Sequence, residues 1–191
     1  MKKTIFVLLL TIILQNCIGT RYYNVSEVSS NDIQFLSNQQ IKIFAQWNFN
    51  SSLSFSSQKK MAMEHQKLLM KTIEETVCCV VVQNPDEANL ILRGTFTDVS
   101  NVNAKWLSLA THFSLFLIPS WRDIKINITA TVQNYEEEQV YNISDSMRKS
   151  QWLPLIFLMP FSTSVAAQEN DMNQNLYRSL FLQIARDGFF Q

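Results

Sequence analysis

The sequence predicts an α+β fold: two helices packed on one face of a four- to five-stranded, mainly antiparallel sheet, with two apolar segments at one end. Three observations carry that prediction. Apolar and polar residues alternate at period two over 41–48 and again over 123–135, the signature of half-buried strands. Apolar residues recur at helical spacing at Ala62, Leu69, Ile73 and Val77, and at Met172, Leu176, Leu180 and Ile184. The segments follow one another as strand, helix, two strands, hairpin and helix, the order of an open sandwich with helices on a sheet.

Residues 1–20 read MKKTIFVLLLTIILQNCIGT. Two lysines precede an uncharged apolar run, which a polar break separates from Cys17; this is the layout of a bacterial secretory signal. The run is short of the ~20 residues a membrane-spanning helix needs. Leu14, Gln15, Asn16 and Cys17 resemble the processing site of bacterial lipoproteins, in which a leucine stands three before a cysteine that becomes the lipidated N-terminus. Asn16 stands where that family usually carries Gly, Ala or Ser. The resemblance implies a signal peptide over 1–16, fatty acylation of Cys17, palmitate being one such acid, and a lipid-anchored protein of the bacterial cell envelope. Outer-membrane attachment facing the periplasm is the expected location. Several acyl chains, at ~0.8 kcal/mol per buried methylene, would make attachment nearly permanent. Cleavage after Gly19 is the alternative; it gives a leader of 1–19 and a secreted or periplasmic soluble protein.

Residues 17–40 are then expected to form the lipidated cysteine and a flexible tether, because 21–40 is polar and has no sustained period. A single α+β domain follows over 41–191. In it, 41–48 is a half-buried strand, and the serines of 51–57 offer caps for a helix over about 58–76. His65 lies on that helix beside Glu64 and Lys67 and is expected to be solvated. The β-branched run 77–82 suits a strand buried on both faces. Cys78 and Cys79 within it read as two small buried hydrophobes, a vicinal disulfide being the alternative. Asn84, Pro85 and Asp86 supply a turn before a strand over 88–99. A hairpin follows, with strands at 123–135 and 139–148 joined by three glutamates, which suit a charged hairpin tip better than a cation site. The last helix covers about 170–187, ended by Gly188 in the position a left-handed cap prefers.

Composition narrows the function. The 16 basic and 16 acidic residues cancel, against the clustered cations that nucleic-acid binding requires. Gly19, Gly94 and Gly188 are too far apart for a dinucleotide fingerprint or a phosphate-binding loop. His65 and His112 have no companion at ligand spacing, so no metal site and no cofactor is expected. Ser114, His112 and Asp123 carry no local signature of nucleophilic catalysis, and no catalytic residue is assigned.

The segments 106–121 and 150–168 contain no charged side chain, and with the run 4–20 they account for the low overall charge. Pro119, Pro154 and Pro160 interrupt both, and neither is long enough to span a bilayer. The first leads into the hairpin's first strand and the second leaves its last strand, so both are expected to emerge side by side. Trp106, Trp121 and Trp152 flank them, where an amphipathic ring suits a membrane interface. The candidate contact residues are Trp106, Leu109, Phe113, Phe116, Leu117 and Trp121 on the first, and Trp152, Leu155, Phe157, Leu158 and Phe161 on the second. Three readings stay open for them: a cap on the core, a membrane-contacting patch beside the anchor, or a surface for a protein partner.

Over 41–191 the order of elements resembles that of small envelope lipoproteins such as the lipopolysaccharide-assembly lipoprotein family. The resemblance implies an assembly or accessory role. The function expected is a non-catalytic, membrane-anchored envelope lipoprotein that scaffolds or assists an envelope protein complex through the paired apolar surface. The alternative is a periplasmic protein that binds lipid or another apolar ligand.

Overall fold

Six strands form an open sheet in the order β1-β6-β5-β4-β2-β3. They are β1 (Cys17–Arg21), β2 (Ile41–Ser51), β3 (Cys79–Val82), β4 (Leu90–Asp98), β5 (Ser120–Gln133) and β6 (Glu138–Gln151). The helices are α1 (Ser30–Gln34), α2 (Phe55–Glu75) and α3 (Val165–Arg186), with a 3-10 turn at Pro85–Glu87. The computed structural model describes residues 17–34, 40–51, 55–76, 78–99, 109–111, 113–114, 117–152 and 164–190; the expected leader over 1–16 lies outside them. β1 pairs antiparallel with β6 and β4 with β5, whereas β2 runs parallel to both β3 and β4. The sheet is therefore mixed, with more strands than expected.

The chain divides into two compact units. Of the described residues, the first holds those within 17–22, 109–125, 146–152 and 164–170, and the second those within 23–99, 126–145 and 171–190.

In the second unit, strand alternation decides what is buried. Ile43, Leu90, Leu92, Phe96, Ile126, Ile128, Ala130, Val132, Tyr141 and Ile143 are buried, while Lys42, Gln46, Asn48 and Arg93 are exposed. The buried side is the one the helices cover. His65 of α2 lies against Phe96 and Phe49, and Tyr177 of α3 lies against Trp47. Both helices thus occupy one face, as the stripes predicted. Glu75 ties them together: it accepts from Arg178 Nε and Nη2 at 3.0 and 2.9 Å and from Gln174 Nε2 at 3.0 Å. Gly188 ends the C-terminal turn at φ 89°, with Phe189 N–H bonded to Ile184 O at 3.3 Å. Phe190 then stacks on Phe181.

Three expectations are corrected here. First, His65 is not solvated: it is 3% exposed, its ring centroid lies 3.6 Å from that of Phe96, and Nδ1 is 3.2 Å from the Tyr177 hydroxyl. Burial pushes its pKa down to about 4.

Second, β3 is not buried on both faces but forms the sheet edge, with Val80 45% exposed. The strand pairs only with Ile41 to Phe44 of β2, and β4 begins at the level of Ile43. The link 83–89 therefore steps from one side of β2 to the other at a single level, where a longer parallel strand would need a long crossover. Asn84 caps that link by accepting from Asp86 N–H at 3.2 Å, with Pro85 at the first position of the turn. Shortness is also what makes this edge tolerable.

Third, Cys78 and Cys79 are buried but bonded to each other as a vicinal disulfide. Cys78 precedes the strand, bonded through N–H to Thr76 O, so the two side chains do not alternate across a pleat.

The stretch 17–40, expected to be a tether, contains β1 and α1. Within the second unit, Val28 and Ile33 are buried. Asn175 of α3 holds this segment: its Oδ1 accepts from Val28 N–H at 2.7 Å and its Nδ2 donates to Ser26 O at 3.1 Å. Asn175→Leu removes both bonds and leaves a buried amide unpaired. It should cost about 2 kcal/mol in urea denaturation, and an unchanged midpoint would refute the clamp.

Candidate functional site

The first unit is built on the open end of the β5–β6 hairpin. β1 lies against the end of β6, with Cys17 opposite Gln151 and Arg21 opposite Met147. The acylation site of the expected lipoprotein is thus a strand residue at the level where β6 ends, just before Trp152. Tyr22 N–H extends the pairing to Ser146 O at 2.9 Å.

A polar clamp holds the three strand ends. Arg148 forks onto Asp123, Nε to Oδ1 at 2.7 Å and Nη2 to Oδ2 at 3.1 Å, and its guanidinium lies over the Tyr22 ring at 5.8 Å. The bond to Asp123 raises the Arg148 pKa above its ordinary value. Planar two-pronged pairing fixes orientation better than a single charge contact would.

In the same unit the chain makes a short helical turn at 109–111 and 113. Ser114 organises its exit: N–H bonds Ala110 O at 2.9 Å, Oγ donates to Thr111 O at 3.1 Å, and Oγ accepts from Ile118 N–H at 3.0 Å. The Ser114 hydroxyl is thus engaged in the turn, and Asp123 is engaged by Arg148. Leu109 and Phe113 stand four apart, on one side of the turn. Leu117 follows, and its carbonyl accepts from Trp152 Nε1 at 3.2 Å. That bond puts the end of one apolar segment beside the start of the other.

Six large apolar side chains of this unit are exposed. Phe113 is 83% exposed, Leu117 66%, Leu109 57%, Trp121 49% and Trp152 41%, and Ile118, which sequence reasoning did not single out, is 44% exposed. The sequence signal for Ile118 was its place in the same uncharged run. Trp106, His112, Phe116, Leu155, Phe157, Leu158 and Phe161 lie outside the described residues. Among the described residues no group of His, Cys, Asp and Glu could hold a metal ion, and no helix is long and apolar enough to cross a membrane.

No protein-family model matches the chain, and no curated protein does. Solved structures resemble it distantly. A PelC dodecamer from Paraburkholderia phytofirmans aligns at TM-score 0.35 and 6% identity, over 86% of this chain and 97% of that one. The hypothetical protein CT253 from Chlamydia trachomatis aligns at TM-score 0.40 and 8% identity, over 77% and 96%. The lipoprotein GNA1162 from Neisseria meningitidis aligns at TM-score 0.30 and 11% identity, over 68% and 96%.

Proposed function

We propose that this chain is a non-catalytic, lipid-anchored protein of the bacterial cell envelope that binds lipid acyl chains through the apolar patch of its first unit. The observation that carries the reading is the placement of six exposed apolar side chains in the unit whose edge strand begins at Cys17. An acyl anchor on that residue and an apolar surface in the same unit would enter one hydrocarbon phase together. The aromatic rings suit its boundary, since Trp121 and Trp152 pair an apolar body with a polar N–H.

Metabolic labelling with palmitate should mark the protein, and Cys17→Ala should abolish the label. The patch is then tested in the Cys17→Ala chain, where no anchor masks it, by flotation with vesicles of phosphatidylethanolamine and phosphatidylglycerol. Phe113→Glu with Leu117→Glu should weaken binding about a hundredfold, since each buried side chain of this size contributes about 1.5 kcal/mol or more. Folding should be unchanged, because both side chains are exposed. Vesicle binding that survives the double substitution would overturn the lipid reading. Failure of the unsubstituted patch to bind vesicles, with capture of a specific envelope protein that the substitution abolishes, would replace it by the scaffold reading.

A further inference from the structure

The turn of the β5–β6 hairpin and the link between β3 and β4, both in the second unit, border two adjoining clefts of about 270 and 420 Å³. The larger is within the range of roughly 300–1,000 Å³ typical of small-molecule sites. Asn89, Asn134 and Tyr135 line both clefts. Tyr135 sits at the hairpin turn, 86% exposed, and among the described residues neither its ring nor its hydroxyl has a partner. An aromatic side chain left bare between two concave surfaces serves no packing role.

The two asparagines are held in fixed orientations. Asn89 Oδ1 accepts from Lys42 N–H at 3.0 Å, and Asn134 Oδ1 accepts from the N–H groups of Glu136 and Glu137 at 2.9 and 2.7 Å. Those bonds settle which end of each amide is oxygen and leave both Nδ2 groups as unspent donors. Each cleft adds one carboxylate acceptor, Glu136 in the first and Asp86 in the second, together with one further amide, Gln40 or Gln133.

This set selects its ligand by exclusion and by match. No lysine or arginine lines either cleft, so the only charged groups a phosphate or acidic ligand would meet are carboxylates, which repel it. An apolar ligand would strand the amide donors without water. A sugar ring fits both halves of the set: its hydroxyls donate to carboxylates and accept from amides, and one face of the ring, presenting only C–H groups, lies flat on an aromatic side chain. We propose that the double cleft binds a neutral glycan, with one sugar residue on each side of Tyr135.

The test uses the full chain and three probes, neutral tetrasaccharides of glucose, of N-acetylglucosamine and of galactose, at millimolar concentration. Saturation-transfer NMR and calorimetry measure binding. At least one probe should bind. Tyr135→Ala should weaken it about tenfold, while Tyr135→Phe retains it because the ring face is kept. Asn89→Asp preserves the acceptor for Lys42 N–H but removes the Nδ2 donor, and should also weaken binding several-fold. Circular dichroism should show all three variants folded, as Tyr135 and Asn89 are exposed. Binding of none of the three probes, or binding unaffected by Tyr135→Ala, would overturn the proposal. So would a response to calcium chloride at Asp86 and Glu136 with none to sugar, which would make the clefts a cation site.

Discussion

Lowering the pH from 7 to 4 should cost the protein about 3 kcal/mol of stability through His65 alone. The imidazole, carried on α2, is wedged among the rings of Phe49 and Phe96 on the sheet and Tyr177 on α3, with the Tyr177 hydroxyl as its hydrogen-bond partner. Burial is what drives its pKa from 6.5 down to about 4. In the unfolded chain the same group takes a proton near 6.5, so between the two values the unfolded state binds more protons than the folded one. A depressed folded pKa gives a contribution that is complete above 6.5 and is lost as the pH falls through 4. The shift of about 2.5 units, at about 1.4 kcal/mol each, sets the size. Urea denaturation at several pH values reads it directly. Acid acts on other groups of the chain as well, so the decisive comparison is with His65→Phe. That variant keeps a ring between Phe49 and Phe96 and loses the bond to Tyr177, and its stability should change less over the same window by about 3 kcal/mol. Parallel pH profiles for the two proteins would show that His65 is not held neutral by its surroundings.

His65 also shows what was legible in the sequence and what was not. It stands three residues after Ala62 and four before Leu69, squarely in the stripe that places α2 on the sheet. The stripe was readable; residue type argued the other way, and position decided. The two helices, the hairpin and the left-handed end at Gly188 were similarly legible because each is specified by residues close in sequence.

Strand order was not legible. The valines of β3 state that the segment is extended, but whether it lies inside the sheet or at its edge depends on how far β2 extends beside it and where β4 begins, both set by distant residues. β1 failed for the same reason: 17–21 shows too little pattern to declare a strand, and its partner is the end of β6, far along the chain. The apolar patch was half legible. An uncharged run announces that something apolar is covered, but the exposure of Phe113 and Leu117 follows from how Ser114 turns the chain.

Gly94→Ala should destabilise the protein by about 3 kcal/mol, at the upper end of what one added methyl group does in a well-packed region. The glycine lies in β4 directly opposite Trp47 of β2, and the indole of Trp47 lies flat over the bare backbone. A Cβ at that position falls inside contact distance of three ring carbons, Cζ3, Cη2 and Cε3. Relief cannot come from a rotating side-chain tip, because the clashing atoms belong to a rigid ring. Nor can the ring simply lift, since it packs against Tyr177 at 5.6 Å and Tyr177 in turn holds His65. The added methyl therefore pushes through Trp47 into the buried polar contact that joins α3 to α2. This makes the effect separable from a general intolerance of alanine in a strand. In Trp47→Leu the flat ring is gone, and Gly94→Ala in that background should cost less by 1–2 kcal/mol, roughly the coupling expected of residues in direct contact. Thermal or urea denaturation of the four proteins measures that coupling. A Gly94→Ala variant within about 0.5 kcal/mol of the parent, the range of an ordinary surface substitution, would mean that the indole is not seated on the strand. An equal cost in both backgrounds would place the strain in the backbone of β4 rather than under Trp47.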